Sequence, residues 1–200
     1  MIIIGWFWET EEETNNQKDS KKILRIKPLT FKELWDSYPS SSPVHKDANG
    51  EDFFNDHCAI NVSDAFLNLG IQMKSFKGKR CYGSCKHDNK HALVAQELAD
   101  WIKLKPFPGC PTAQVYTGET FEENIKGKTG IVFFKDYWPR DPNNKSIRTG
   151  DHIDLWNEDE LASMGYMKTV LRLNFPRAAE VVLAVSDFKG SEEVLFWEIK

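Results

Sequence analysis

Apolar residues in this chain change their period partway along it, recurring at helical spacing up to Lys105 and at strand spacing after Gly118. One face of a helix repeats about every 3.6 residues and one face of a strand every second residue, so the change marks two kinds of element. Helices first and strands second predict an α+β fold, with the early helices packed on an antiparallel β-sheet. No repeat or internal boundary interrupts residues 29–200, which read as one domain behind an N-terminal extension, 1–28. Within the extension, residues 9–22 are polar and charged without a period and read as a loop.

Three helices are predicted. Thr30 followed by Glu33, with Phe31, Leu34 and Trp35, has the form of a capping box, and the serine-rich stretch Pro39 to Pro43 ends that helix. In the second, Asn55 or Asp56 is the expected cap, Ala59, Val62, Ala65, Phe66 and Leu69 form the apolar face, and Gly70 closes it. The third runs from Leu93 to Leu104 and stops before Pro106. Four strands follow: Ile131 to Phe134 after a turn flanked by Gly127 and Gly130, His152 to Trp156, Val181 to Val185, and Val194 to Ile199.

Charge and composition exclude several classes of function. Thirty acidic against 26 basic side chains give a net charge of −4, with no basic stripe to follow a phosphate backbone, so nucleic acid is not an expected partner. No stretch approaches the ~18 uninterrupted apolar residues that cross a bilayer, so membrane insertion is not expected. The apolar start, Met1 to Trp8, lacks a basic leader and runs into Glu9, Glu11, Glu12 and Glu13, a poor secretory signal. The expectation is a protein made in the cytoplasm and exported by another machine. Cys58, Cys81, Cys85 and Cys110 are too few for a disulfide scaffold.

Cys58 falls in the first turn of the second predicted helix, where unpaired N–H groups and the positive end of the helix dipole favour a thiolate. Taken alone, its position favours the reading of a small buried hydrophobe. A thiol nucleophile needs a base within hydrogen-bond reach, and the base needs a third group to orient it. His152 is the candidate base. In His152-Ile153-Asp154-Leu155-Trp156-Asn157 the strand period puts His152, Asp154 and Trp156 on one face and Ile153 and Leu155 on the other.

Four blocks, His57-Cys58-Ala59-Ile60-Asn61-Val62-Ser63 with Leu67-Asn68-Leu69-Gly70, Gly130 to Phe134, Gly150 to Asn157, and Phe196-Trp197-Glu198-Ile199, resemble the fourth family of type VI secretion amidase effectors. The resemblance implies a papain-like cysteine peptidase/amidase fold and hydrolysis of peptidoglycan stem peptides at the amide between D-glutamate and meso-diaminopimelate. It further implies an antibacterial toxin delivered by the type VI secretion machinery into a target-cell periplasm, and a cognate immunity protein that blocks the cleft. Cys58 would attack the carbonyl and His152 would move the proton, without metal or organic cofactor. The family's third catalytic residue is commonly an aspartate on the strand after the histidine, where this chain reads Glu158-Asp159-Glu160-Leu161-Ala162-Ser163. Asp154, Asp159 and Ser163 are the alternatives; Asp154 shares a strand face with His152 and is favoured because it needs no assumption about where the following strand begins. The backbone N–H of Cys58 or Ala59 is the candidate oxyanion donor.

Cys81, Cys85, His87 and His91 form a competing constellation, two sulfurs and two imidazoles within eleven residues. Their spacing is unlike that of a zinc finger, and the assignment made is no metal site. A Cys81–Cys85 disulfide suits an oxidising compartment, and a reduced loop is the alternative. A non-catalytic, zinc-stabilised interaction module is therefore the rival to the enzyme, and a cysteine protease on the same scaffold is a second. Tyr137, Trp138, Pro139 and Arg140, in the long connection before His152, read either as the lining of a substrate groove or as loop anchors. Arg140 and Arg148 are candidate partners for a substrate carboxylate.

Overall fold

The structure, a computed structural model, describes residues 10–13, 21–24, 27–43, 45–46, 49–83, 87–141, 143–144, 146–174 and 187–200. In the extension, where a loop was expected, β1 (Thr10–Glu13) and β2 (Lys21–Leu24) pair antiparallel as a separate two-stranded sheet. Their register places Glu12 opposite Lys22 and Glu13 opposite Lys21. Opposite charges across a strand pair are favourable, and a signal of that kind is invisible to a search along one strand for apolar period.

Thr30 opens α1 (Phe31–Asp36) with the expected capping box: its hydroxyl accepts the Glu33 N–H while the Glu33 carboxylate accepts the Thr30 N–H. The next helix, α2 (Cys58–Asn68), is buried from Ala59 to Leu67. Its N-cap is His57 and not Asn55 or Asp56, and no side chain caps it. The first N–H groups of α2 therefore lack a side-chain acceptor. At the other end the expected Gly70 adopts φ +81°, and the Gly70 and Ile71 N–H groups donate to Leu67 and Phe66 carbonyls in a Schellman arrangement. The third helix, α3 (Ala95–Lys103), buries Leu98, Trp101 and Ile102.

The expected strands at Ile131–Phe134, His152–Trp156 and Val194–Ile199 appear as β4 (Thr129–Trp138), β5 (Gly150–Asn157) and β7 (Glu193–Glu198). The strand expected at Val181 to Val185 lies outside the described residues. Four short elements were not anticipated: β3 (Gln114–Tyr116), α4 (Phe121–Ile125), β6 (Glu160–Leu161) and α5 (Tyr166–Asn174). The first three span five residues or fewer, too short for a period to show. The sheet has the order β3-β7-β4-β5-β6, and every pairing is antiparallel. No helix among the described residues is long and apolar enough to cross a membrane.

Both faces of the sheet are covered. Ile131, Phe133, Ile153, Leu155, Leu195 and Trp197 pack with α2 and α3, while Val132, Phe134, Trp156, Val194 and Phe196 pack with Phe121, Ile125, Leu173 and Phe188. The alternation predicted along β5 is thus realised, with Ile153 and Leu155 on the helix side. Gly130 lies in the central strand, opposite Trp156 on one neighbour and Glu198 on the other. A Cβ there would collide with the Trp197 carbonyl, which belongs to the β7 backbone and cannot rotate away. Gly130→Ala is expected to lower the urea-unfolding free energy by about 2 kcal/mol or more, the usual cost of overpacking.

Candidate active site

Cys58 begins α2, and α2 packs against β5. Beyond the short pairing with β6 at Trp156 and Asn157, the outer edge of β5 has no strand partner among the described residues. There the first turn of α2 meets His152, whose ring lies close enough to Cys58 for the thiol to raise its pKa. The His152 side chain is 15% exposed and that of Asp154 0%. Asp154 Oδ2 lies 3.4 Å from His152 Nε2, at ion-pair distance but out of line for a well-formed hydrogen bond. Such contacts are commonly long in catalytic sites before substrate binds.

The structure separates the three alternatives for the orienting group. Asp154 Oδ1 accepts the Leu155 N–H at 2.9 Å, and Oδ2 accepts both the Ser163 N–H at 3.2 Å and the Ser163 hydroxyl. Ser163 thus holds Asp154, and Asp154 faces His152. Asp159 sits in the β5–β6 turn, past the end of β5 at Asn157, which is five residues along the strand from His152. At about 3.3 Å per residue the end of the strand is roughly 16 Å from His152. It is not part of this cluster.

Around the imidazole, Phe134, Tyr137 and Phe188 place their ring centroids 6.4, 6.5 and 5.5 Å from that of His152. Tyr137 reaches this face because β4 is irregular between Phe134 and Trp138, with Asp136 at φ +50°. Between those two pairs β4 advances four residues against two on β5, and such extra residues break the regular alternation locally. Trp138 instead covers Gly150, and Arg140 lies over its ring. These aromatics are anchors of the site's wall. Arg140 and Arg148 each donate to a backbone carbonyl, those of Thr149 and Gly190, at 2.9 and 2.6 Å.

One member of the cluster was missed. The Tyr38 hydroxyl, just past α1, is buried facing Asp154 and the Asn61 side chain without a well-formed hydrogen bond to either. Burial first, and the Asp154 charge second, push the phenol well above its ordinary range, so it stays an O–H donor. Nothing in the sequence around Tyr38 marks it, because it enters from a loop. His57, next to the nucleophile candidate, is tied by Nε2 to Asp52 Oδ2 at 2.8 Å.

Burial alone would strip the proton from His152, but the nearby Asp154 carboxylate and the thiol and charge of Cys58 overcome it, and its pKa rises from 6.5 to about 10. A raised folded-state value stabilises the fold fully below the unfolded value, and that stabilisation is lost as pH climbs through the folded value. The melting-temperature advantage of wild type over His152→Gln is therefore expected to be greatest below pH 6.5 and to shrink as pH approaches 10. Calorimetry across that range checks it, and a constant difference would contradict the ion pair.

The model of Tae4, "Type VI secretion system (T6SS), amidase effector protein 4", matches residues 54–197. Among solved structures, a Tae4/Tai4 effector–immunity system from Salmonella typhimurium is similar, with 15% identity and a TM-score of 0.57 over 88% of this chain and 100% of that one. Tae4 from Enterobacter cloacae gives 15% and 0.57 over 88% and 98%, and the Tae4-Tai4 complex from Enterobacter cloacae gives 14% and 0.58 over 88% and 100%. At such identity these likenesses speak for the fold, a papain-like one of helices on an antiparallel sheet. None of the curated proteins matches in sequence. With 54–197 of its 200 residues matched, the chain belongs to the family of type VI secretion system amidase effectors, Tae4.

Proposed function

We propose that this chain is a cysteine amidase that cuts peptidoglycan stem peptides at the amide between D-glutamate and meso-diaminopimelate, delivered into a competitor's periplasm. The observation that carries the reading is the Cys58–His152–Asp154 line, with the thiol at an uncapped helix start and the imidazole between thiol and carboxylate. Cys58 Sγ attacks the carbonyl carbon, and charge develops on the oxygen. The N–H groups that open α2 and the Tyr38 hydroxyl are the donors for that charge. The C–N bond then breaks as His152 protonates the leaving amine, leaving a thioester. His152 next takes a proton from water, which attacks the thioester and releases a carboxylate and the thiol. Asp154 keeps the ring oriented and its charge balanced throughout.

Peptidoglycan peptide stems are the substrate in this reading. A cognate immunity protein and the type VI machinery are the protein partners. The cluster needs no cofactor, and the non-catalytic module remains the rival to exclude.

The test is incubation of wild type and variants with Gram-negative sacculi, followed by mass spectrometry of the released muropeptides. Wild type is expected to shorten the stems. Cys58→Ala and His152→Ala are expected to release nothing while keeping stability within about 2 kcal/mol of wild type. Asp154→Asn is expected to lower the rate by about 10²–10⁴-fold. Full activity in folded Cys58→Ala protein would sink the mechanism, and cleavage at another bond would correct the substrate.

A further inference from the structure

A second set of chemically potent side chains meets on the far side of His57. We propose that His45, Cys81 and His91 form a buried zinc site that braces the wall behind the nucleophile. The three are 0%, 3% and 0% exposed. Their ligand atoms lie within 4.8 Å of one another. His45 Nε2 is 3.2 Å from His91 Nδ1, and Cys81 Sγ is 3.5 Å from the same nitrogen. Zinc at about 2.0–2.1 Å from nitrogen and about 2.3 Å from sulfur, in a tetrahedron, spaces its ligand atoms about 3.3–3.6 Å apart. The two separations to His91 Nδ1, 3.2 and 3.5 Å, come close to those spacings.

The hydrogen-bond inventory points the same way. His91 Nε2 lies 3.1 Å from Asp64 Oδ1, which fixes the proton of the neutral ring on that nitrogen. His91 Nδ1 is then a single lone pair, and two groups converge on it. As a hydrogen-bond acceptor it serves only one of them well, whereas a metal ion engages all three atoms at once. The Asp64–His91 contact is also the carboxylate–histidine pairing that orients metal-bound imidazoles. Asp64 is held in turn by Asn68 Nδ2 at 2.8 Å on its other oxygen. Phe54 closes edge-on over His45 at 5.0 Å and helps keep the cluster dry.

Asp64, His87 and His91 form another possible grouping, but it uses the nitrogen of His91 already engaged by Asp64. A thiolate and two imidazoles favour zinc over magnesium or calcium. The site takes Cys81 as a thiolate, the reduced-loop alternative to the Cys81–Cys85 disulfide considered from sequence. Cys85 lies outside the described residues. The proposed site departs from the expectation of no metal and brings His45 to two of the four residues Cys81, Cys85, His87 and His91 considered from sequence. It shares no residue with Cys58, His152 and Asp154. Zinc binding displaces the Cys81 thiol proton to solvent, so affinity falls as pH falls.

The test is zinc titration of metal-stripped full-length protein against a chromogenic chelator, with elemental analysis after gel filtration and cobalt(II) substitution as a spectroscopic probe. Wild type and Cys58→Ala are each expected to retain about one equivalent, to melt higher with added zinc, and to show thiolate-to-cobalt charge transfer. Cys81→Ser and His91→Asn are expected to lose the stoichiometric metal and the charge-transfer band. Asp64→Asn is expected to bind about 10–100-fold more weakly. Folded wild type with no zinc uptake and no zinc-dependent rise in melting temperature would overturn the site, whatever the variants do. Loss of metal in Cys58→Ala but not in Cys81→Ser would assign the ion to the other cluster and also overturn it. All these readouts are independent of amidase activity.

Discussion

A protonated imidazole held inside a protein against its own desolvation is the interaction on which the rest of this structure turns. Burial works against charge on His152, yet its pKa rises to about 10. The opposing charges must therefore be close and fixed. Asp154 meets that need because it is fully buried and anchored by Leu155 and Ser163, so its carboxylate cannot swing toward water. Cys58 meets it from the other side at the start of α2. A flexible surface carboxylate would be screened and could not hold the proton there.

That requirement explains features of the fold that would otherwise look incidental. Two charged groups two residues apart on one strand face need that face covered. Phe134, Tyr137 and Phe188 supply the cover, and the β4 irregularity at Asp136 turns Tyr137 inward to complete it. The edge of β5 must also remain unpaired beside His152, and β6 stops after two residues. Finally, α2 must present free N–H groups, and His57, occupied with Asp52, leaves them uncapped. Asn55 or Asp56 at the cap, as its composition suggested, would have used an N–H that the proposed chemistry wants.

Much of this was legible in the sequence because it is written in local period. The helical spacing behind Cys58, the alternation of His152 through Trp156 and the capping box at Thr30 each occupy a single element, and the structure keeps all three. Asp154 could be favoured over Asp159 because it lies within the same strand as His152 and needs no assumption about where the next one begins. What escaped is long-range or arises between elements. Tyr38 and His45 reach their clusters from loops, and β1 and β2 pair with one another across a stretch of sequence that carries no apolar period. The role of Ser163 appears only once β6 folds back beside β5. The pattern Cys81 to His91 was noticed but read with its neighbours in sequence. The partner that gives it metal geometry lies 36 residues upstream of Cys81, where no spacing rule reaches.

The two histidine clusters meet at one carboxylate. Asp52 accepts the His45 N–H at 3.3 Å and the Phe54 N–H at 3.1 Å on Oδ1, while Oδ2 takes His57 Nε2. His45 is a proposed ligand, and His57 precedes the proposed nucleophile. A metal ion that fixes the His45 ring would fix its backbone, then Asp52, then the residue that decides where α2 begins. On α2 itself, Asp64 faces His91 from two turns further along the same helix, and Ser63 accepts the Ala92 N–H at 3.0 Å. The cluster therefore grips α2 at its start and at its middle. A nucleophile whose reactivity depends on the placement of a few N–H groups gains from such a brace, since a misplacement of about 1 Å can cost two orders of magnitude in rate.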